Sequence, residues 1–147
     1  MGSSYMDYRG CGFWSRAFQA EVYLHLLSTE AGDVGDRPAW LDDARDNWEV
    51  QATAGFTGCV SPCLDQHVGV DPDRVALVLG LPNQVRQQLV QWAPAIPKDA
   101  ANAFGTGGEA EAFNSDLDTT LLLRFADTFI SLLRGELPAE PGTTMAY

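Results

Sequence analysis

The apolar segment from Leu121 to Leu133 is the feature that most constrains how this chain can fold. In the helix predicted to contain it, which runs to Arg134, only Arg124, Asp127, Ser131 and Arg134 form a narrow polar stripe. Asp118 is a suitable N-cap before the segment, and Gly135 is a suitable residue at the position after its end. A helix that is apolar around most of its circumference is usually surrounded by other elements. The pattern therefore predicts that this C-terminal helix is the centre of a helical bundle.

Three further segments carry apolar residues at helical spacing. The first runs from Phe13 to Glu30, and the second opens at Pro38 and extends to about Ala54. The third begins at the N-cap pair Asp71-Pro72 and keeps one apolar phase through Pro82 to Trp92. The inward face predicted for the second helix consists of Leu41, Ala44, Trp48 and Ala52. Because no strand alternation stands out, we predict an all-α single domain of four to five helices around the C-terminal helix.

Length and composition suit one such domain. The chain has 147 residues, 46% of them hydrophobic, which is enough for a single core. We divide it into an N-terminal arm (1–12), a helical domain (13–135) and a polar C-terminal tail (136–147). The longest apolar stretch, Val75 to Leu81, is too short to span a bilayer. Three cysteines and the lack of a secretory signal predict a cytoplasmic protein with reduced thiols.

The net charge excludes two classes of partner. Twenty acidic residues against nine basic ones give a formal charge of −11. A chain this anionic is repelled by nucleic-acid phosphates and by anionic membrane surfaces. We therefore expect neither nucleic acid nor membrane as a partner, and the sequence does not indicate an oligomeric state.

The acidic residues are concentrated between Glu30 and Glu49, where seven carboxylates accompany only Arg37 and Arg45. One interpretation is a solvated face that keeps the protein soluble. The other is a recognition surface whose field attracts a basic protein, with an aromatic anchor at its rim. On the second interpretation the partner-binding residues are Trp40, Asp42, Asp43, Asp46 and Glu49.

Size and charge together favour a binding role over an enzymatic one. The leading hypothesis is a non-enzymatic protein-interaction domain, in the manner of an inhibitor or immunity-type protein that neutralises a basic partner. This hypothesis rests on the charge pattern and not on a sequence motif.

The alternative hypothesis is a small metal-binding protein or enzyme with a Cys/His site. Cys59, Cys63 and His67 are spaced four residues apart, and thiolate and imidazole ligands suit Zn²⁺. Cys11 is available as a fourth ligand. Pro62 argues against one continuous helix through this segment, and buried thiols commonly act as small apolar groups.

Overall fold

The prediction of an all-α bundle is wrong, because the fold also contains strands. The computed structural model describes residues 2–54, 58–106, 113–138 and 144–147. Within these ranges it contains six helices and two small antiparallel sheets of two strands each. The elements, in chain order, are β1 (Ser3–Tyr8), β2 (Cys11–Arg16), α1 (Ala17–Gly32), α2 (Ala39–Ala52), α3 (Leu64–His67), α4 (Pro72–Trp92), β3 (Ala95–Ile96), α5 (Lys98–Ala103), β4 (Leu117–Asp118) and α6 (Thr119–Leu133).

The first sheet is a hairpin at the start of the chain. Strands β1 and β2 pair with Tyr8 opposite Cys11, so that only Arg9 and Gly10 form the turn. Both have positive φ angles, 52° and 78°, as the tight turns preferred in two-residue hairpins require. The inward positions alternate as a half-buried sheet requires and are Ser4, Met6, Tyr8, Phe13 and Ser15. The first helix therefore begins at Ala17 and not at Phe13, and the predicted boundary between residues 12 and 13 falls inside β2.

The central helix is α1 and not the C-terminal helix, which is a second correction. Helix α1 contacts α2, α4, α6 and both hairpin strands, and most of its residues are buried. Two of its buried polar side chains bond to neighbouring elements: the Gln19 amide donates to the Leu121 carbonyl oxygen at 3.0 Å, and Gln88 donates to Glu30 at 2.5 Å. Helix α6 keeps exposed positions at Arg124 and Asp127. The central position thus belongs to α1, which buries more of its residues than α6 does and bonds some of its polar side chains to neighbouring elements.

Several local predictions are confirmed. The buried residues of α2 are the predicted Leu41, Ala44, Trp48 and Ala52. The Asp71 carboxylate caps α4 by accepting from the backbone N–H groups of Asp73 and Arg74, and the Asp118 carboxylate caps α6. Helix α4 runs from Pro72 to Trp92 as one element with Pro82 inside it. The capping residues and the helical spacing of apolar residues therefore predicted the ends of these helices to within a few residues.

The last described residues pair with the hairpin. The Trp14 N–H donates to the Thr144 carbonyl at 2.8 Å, and the Ala146 N–H donates to the Trp14 carbonyl at 2.9 Å. The predicted polar tail thus includes a segment that lies against β2, while residues 139–143 lie outside the described residues. Within the described ranges, no helix has the length and apolar character needed to cross a membrane.

Candidate functional site

A cleft of about 530 Å³ lies where α2, α3 and the first turn of α4 meet. We call it the acidic cleft. Its lining consists of Trp40, Asp43, Asp46, Asn47, Gln66, His67 and Arg74. Three segments of the chain contribute to it, so its shape depends on how these helices are fixed relative to one another.

Helix α2 contributes one face to the acidic cleft. Trp40, Asp43 and Asn47 follow at intervals of three and four residues, and Asp46 lies beside them, so these side chains share one side of the helix. The opposite face is buried in the core through Leu41 and other apolar residues. Burial of that face fixes the rotation of α2 and turns the acidic face toward the cleft.

A buried hydrogen bond holds α2 against the segment that leads to α3. The indole Nε1 of Trp48 donates to the Pro62 carbonyl at 2.9 Å, and Trp48 is fully buried. A hydrogen bond in such a setting leaves no orphaned indole N–H in the core. The contact places Leu64–His67, and therefore the His67 side chain, beside α2.

Arg74 connects all three helices of the acidic cleft. Its Nη1 donates to the His67 carbonyl oxygen at 2.9 Å, and its guanidinium lies 5.0 Å from the centre of the Trp40 ring. The backbone N–H of Arg74 is held by the Asp71 cap of α4. Arg74 therefore acts as a positioning residue, and its positive charge is already engaged by the Trp40 ring and the backbone.

Two buried polar atoms in the lining have no hydrogen-bond partner within the described part of the chain. These are the Nε2 atom of His67 and the Oδ1 atom of Asn47. The His67 side chain is only 8% exposed. Buried polar groups normally find a partner, and one left without a partner is costly. The lining therefore retains unused hydrogen-bonding capacity.

The charge state of His67 follows from the same surroundings. Burial lowers the pKa of His67 from its ordinary value of 6.5, the Asp43 carboxylate opposes this shift, and the Arg74 guanidinium adds to it. The imidazole is therefore neutral at pH 7. A neutral imidazole offers one nitrogen as a hydrogen-bond acceptor.

The five predicted partner-binding residues fall into two groups. Trp40, Asp43 and Asp46 line the acidic cleft. Asp42 instead accepts from Nε of Arg37 at 2.8 Å. Glu49 faces α1, where its carboxylate accepts from the Ser28 hydroxyl and lies 3.1 Å from Nδ1 of His25. The structure thus brings together three of the five residues and gives the other two contacts within the protein.

The proposed zinc ligands are not brought together as a site. Cys59 is exposed with a φ of 61°, and Cys63 precedes α3 with a φ of 50°, so no continuous helix joins them. The Cys63 thiol lies 3.8 Å from the Ser61 carbonyl oxygen. In the ranges that the structure describes, no group of three or more His, Cys, Asp or Glu side chains is arranged to hold a metal ion. His67 lines the acidic cleft instead.

Sequence reasoning missed three of the seven lining residues. Helical spacing from Trp40 and Asp43 was sufficient to find Asn47. Gln66 and Arg74 come from other segments, and no local pattern connects them with α2. Comparisons with protein-family models, with curated proteins and with solved structures find no match for this chain. The geometry of the acidic cleft is therefore the basis of a functional assignment.

Proposed function

We propose that this protein is a non-enzymatic interaction domain that binds a basic protein through the acidic cleft, in the manner of an inhibitor or immunity-type protein. One observation carries the proposal. Asp43 and Asp46 are exposed carboxylates at the cleft, and neither has an ion-pair partner within the described residues. Half-buried Trp40 lies beside them and provides an aromatic anchor.

The nearby cations do not neutralise these two carboxylates directly. Arg37 bonds to Asp42 and to the Gly32 carbonyl at the end of α1. Nε of Arg45 donates to the Ser28 carbonyl at 3.0 Å. Both arginines therefore hold the α1–α2 connection. The negative field at the cleft remains available to accelerate association with a positively charged surface.

Charge reversal in the acidic cleft tests the proposal. The wild-type protein and the Asp43→Lys/Asp46→Lys double variant are each immobilised and exposed to a low-salt extract of the source organism. Proteins retained by the wild type alone are identified and purified, and their affinity is measured at two salt concentrations. We expect a basic protein whose affinity falls at least about tenfold in the double variant and also falls with added salt.

A matched control distinguishes the effect of charge in the cleft from the effect of the protein's net charge. The Asp99→Lys/Glu136→Lys variant makes the same change in net charge at exposed residues outside the cleft lining. The proposal requires that this control retain most of the affinity. Equal loss in both double variants, or no loss in either, contradicts it.

A further inference from the structure

The acidic cleft combines negative charge with buried polar atoms that have no hydrogen-bond partner. Asp43 and Asp46 present carboxylates, and the Asn47 Oδ1 and His67 Nε2 atoms are buried without a partner in the described part of the chain. The Arg74 guanidinium also lines the cleft, where it bonds to the His67 carbonyl and lies against the Trp40 ring. A ligand with positive charge and several N–H groups complements the two carboxylates and the two atoms that lack a partner.

We propose that the acidic cleft is a specificity pocket for a single arginine side chain, whose guanidinium bonds to Asp43, Asp46, Asn47 Oδ1 and His67 Nε2. The inference rests on the proposed function and deepens it, because it names the group on the basic partner that the cleft recognises. A guanidinium carries five N–H donors in a planar fork and pairs well with carboxylates. It is also more weakly hydrated than an ammonium group, so it enters a partly enclosed site more easily than lysine.

The volume and the burial of the lining agree with this occupant. About 530 Å³ is ample for one extended arginine side chain but small for a folded element. The Asn47 Oδ1 and His67 Nε2 atoms are enclosed by protein, so the proposal requires that both side chains rotate to meet the guanidinium and that neutral His67 carries its proton on Nδ1. Both acceptors then gain the partners that they lack, and a neutral His67 adds no charge repulsion.

The test uses a defined probe and does not require the natural partner. N-acetyl-arginine methylamide is titrated into the ¹⁵N-labelled protein, and the nuclear magnetic resonance shifts of the Trp40 indole and the His67 imidazole are followed. N-acetyl-citrulline methylamide is the neutral, nearly isosteric comparison. We expect saturable shifts at both residues, with citrulline binding at least about tenfold more weakly, because charge-assisted hydrogen bonds are lost.

Variants assign the binding to the proposed atoms. We expect the affinity for the arginine probe to fall at least about threefold in each of three variants, Asp43→Asn, Asp46→Asn and Asn47→Ala. Asp36→Asn is the matched control, because it removes one carboxylate of the same acidic segment at a residue outside the cleft lining. Its φ of 50° is one that asparagine also tolerates. The control should bind the probe as the wild type does.

Several results overturn the inference. The first is equal affinity for the citrulline and arginine probes, and the second is a set of resonance shifts at residues other than Trp40 and His67. The third is that inorganic phosphate, and not the arginine probe, shifts the resonances of Trp40 and His67. A further outcome is that the arginine probe does not bind, although the captured basic protein binds the Asp43→Lys/Asp46→Lys variant more weakly than the wild type. In that case this inference is wrong and the proposed function stands. If charge reversal also leaves partner binding unchanged, both fail.

Discussion

The guanidinium of Arg74 lies 5.0 Å from the centre of the Trp40 ring while its Nη1 donates to the His67 carbonyl. One side chain therefore joins α4 to α2 and α3 across the acidic cleft. Lysine retains the charge but loses the flat guanidinium that lies against the Trp40 ring while donating to the His67 carbonyl. We expect Arg74→Lys to lower the free energy of unfolding by about 1 kcal/mol, the combined size of one exposed cation–π contact and one hydrogen bond.

Urea denaturation monitored by circular dichroism measures this change. Arg86→Lys is the matched control, because Arg86 makes one exposed ion pair with Asp127 at 2.8 Å. Exposed pairs contribute little, so the control should change stability by less than about 0.5 kcal/mol. Equal losses in the two variants would show that Arg74 does not join the three helices.

His67 makes stability depend on pH. Its pKa is lowered in the folded state by burial, with Asp43 opposing and Arg74 adding to the shift. The unfolded chain therefore binds the proton more readily, so His67 contributes its full stability above pH 6.5 and loses it as the pH falls below that value. We expect His67→Gln to reduce the loss of stability between pH 7 and pH 5. Urea titrations at a series of pH values measure how the free energy of unfolding changes with pH. The same pH dependence in the wild type and in His67→Gln would contradict the prediction.

Glu30 acts in the opposite direction. Burial raises the pKa of Glu30 above its ordinary value of 4.5, Asp33 raises it further, and the hydrogen bond from Gln88 opposes the shift. The folded state therefore favours the protonated acid, and stability falls as the pH rises through the folded pKa. Glu30→Gln retains an acceptor for Gln88 without the charge. We expect it to raise the melting temperature at pH 7 but not below pH 4.5.

The control for this change is Glu136→Gln, which removes a carboxylate that is exposed. It should leave the melting temperature nearly unchanged at both pH values. A Glu30→Gln variant that is less stable than the wild type at pH 7 would show that the Gln88 contact depends on the negative charge.

Sequence reasoning located the helices but not the element at the centre. The Asp71 cap and the apolar face of α2 depend on residues close together in the chain, so local patterns revealed them. The burial of α1 depends on partners far along the chain, since Gln19 bonds to the Leu121 and Ala146 carbonyls. A polar residue in isolation suggests contact with water, whereas a distant partner allows it to be buried. Apolar content alone therefore favoured α6.

The candidate site divides in the same way. Charge density identified α2, and Trp40, Asp43 and Asp46 do line the cleft. The sequence did not separate them from Glu49, because that distinction depends on the packing of α1, which places Ser28 beside the Glu49 carboxylate. His67 was chosen for its spacing from two cysteines. Its position beside α2 instead follows from the backbone contact of the preceding segment with the Trp48 indole.

The hairpin turn provides a test of the correction to the fold. Arg9 has a φ of 52° and precedes Gly10 at 78°, and asparagine tolerates this left-handed region better than other non-glycine residues. Arg9→Asn should therefore raise the free energy of unfolding by roughly 0.5 kcal/mol, and Gly10→Ala should lower it by about 1 kcal/mol. Chemical denaturation measures both changes. Arg9→Ala is the control for loss of the guanidinium, which lies 6.0 Å from the Tyr8 ring centre. If residues 3–16 did not form the hairpin, Arg9→Asn and Arg9→Ala would have the same stability and Gly10→Ala would have no cost.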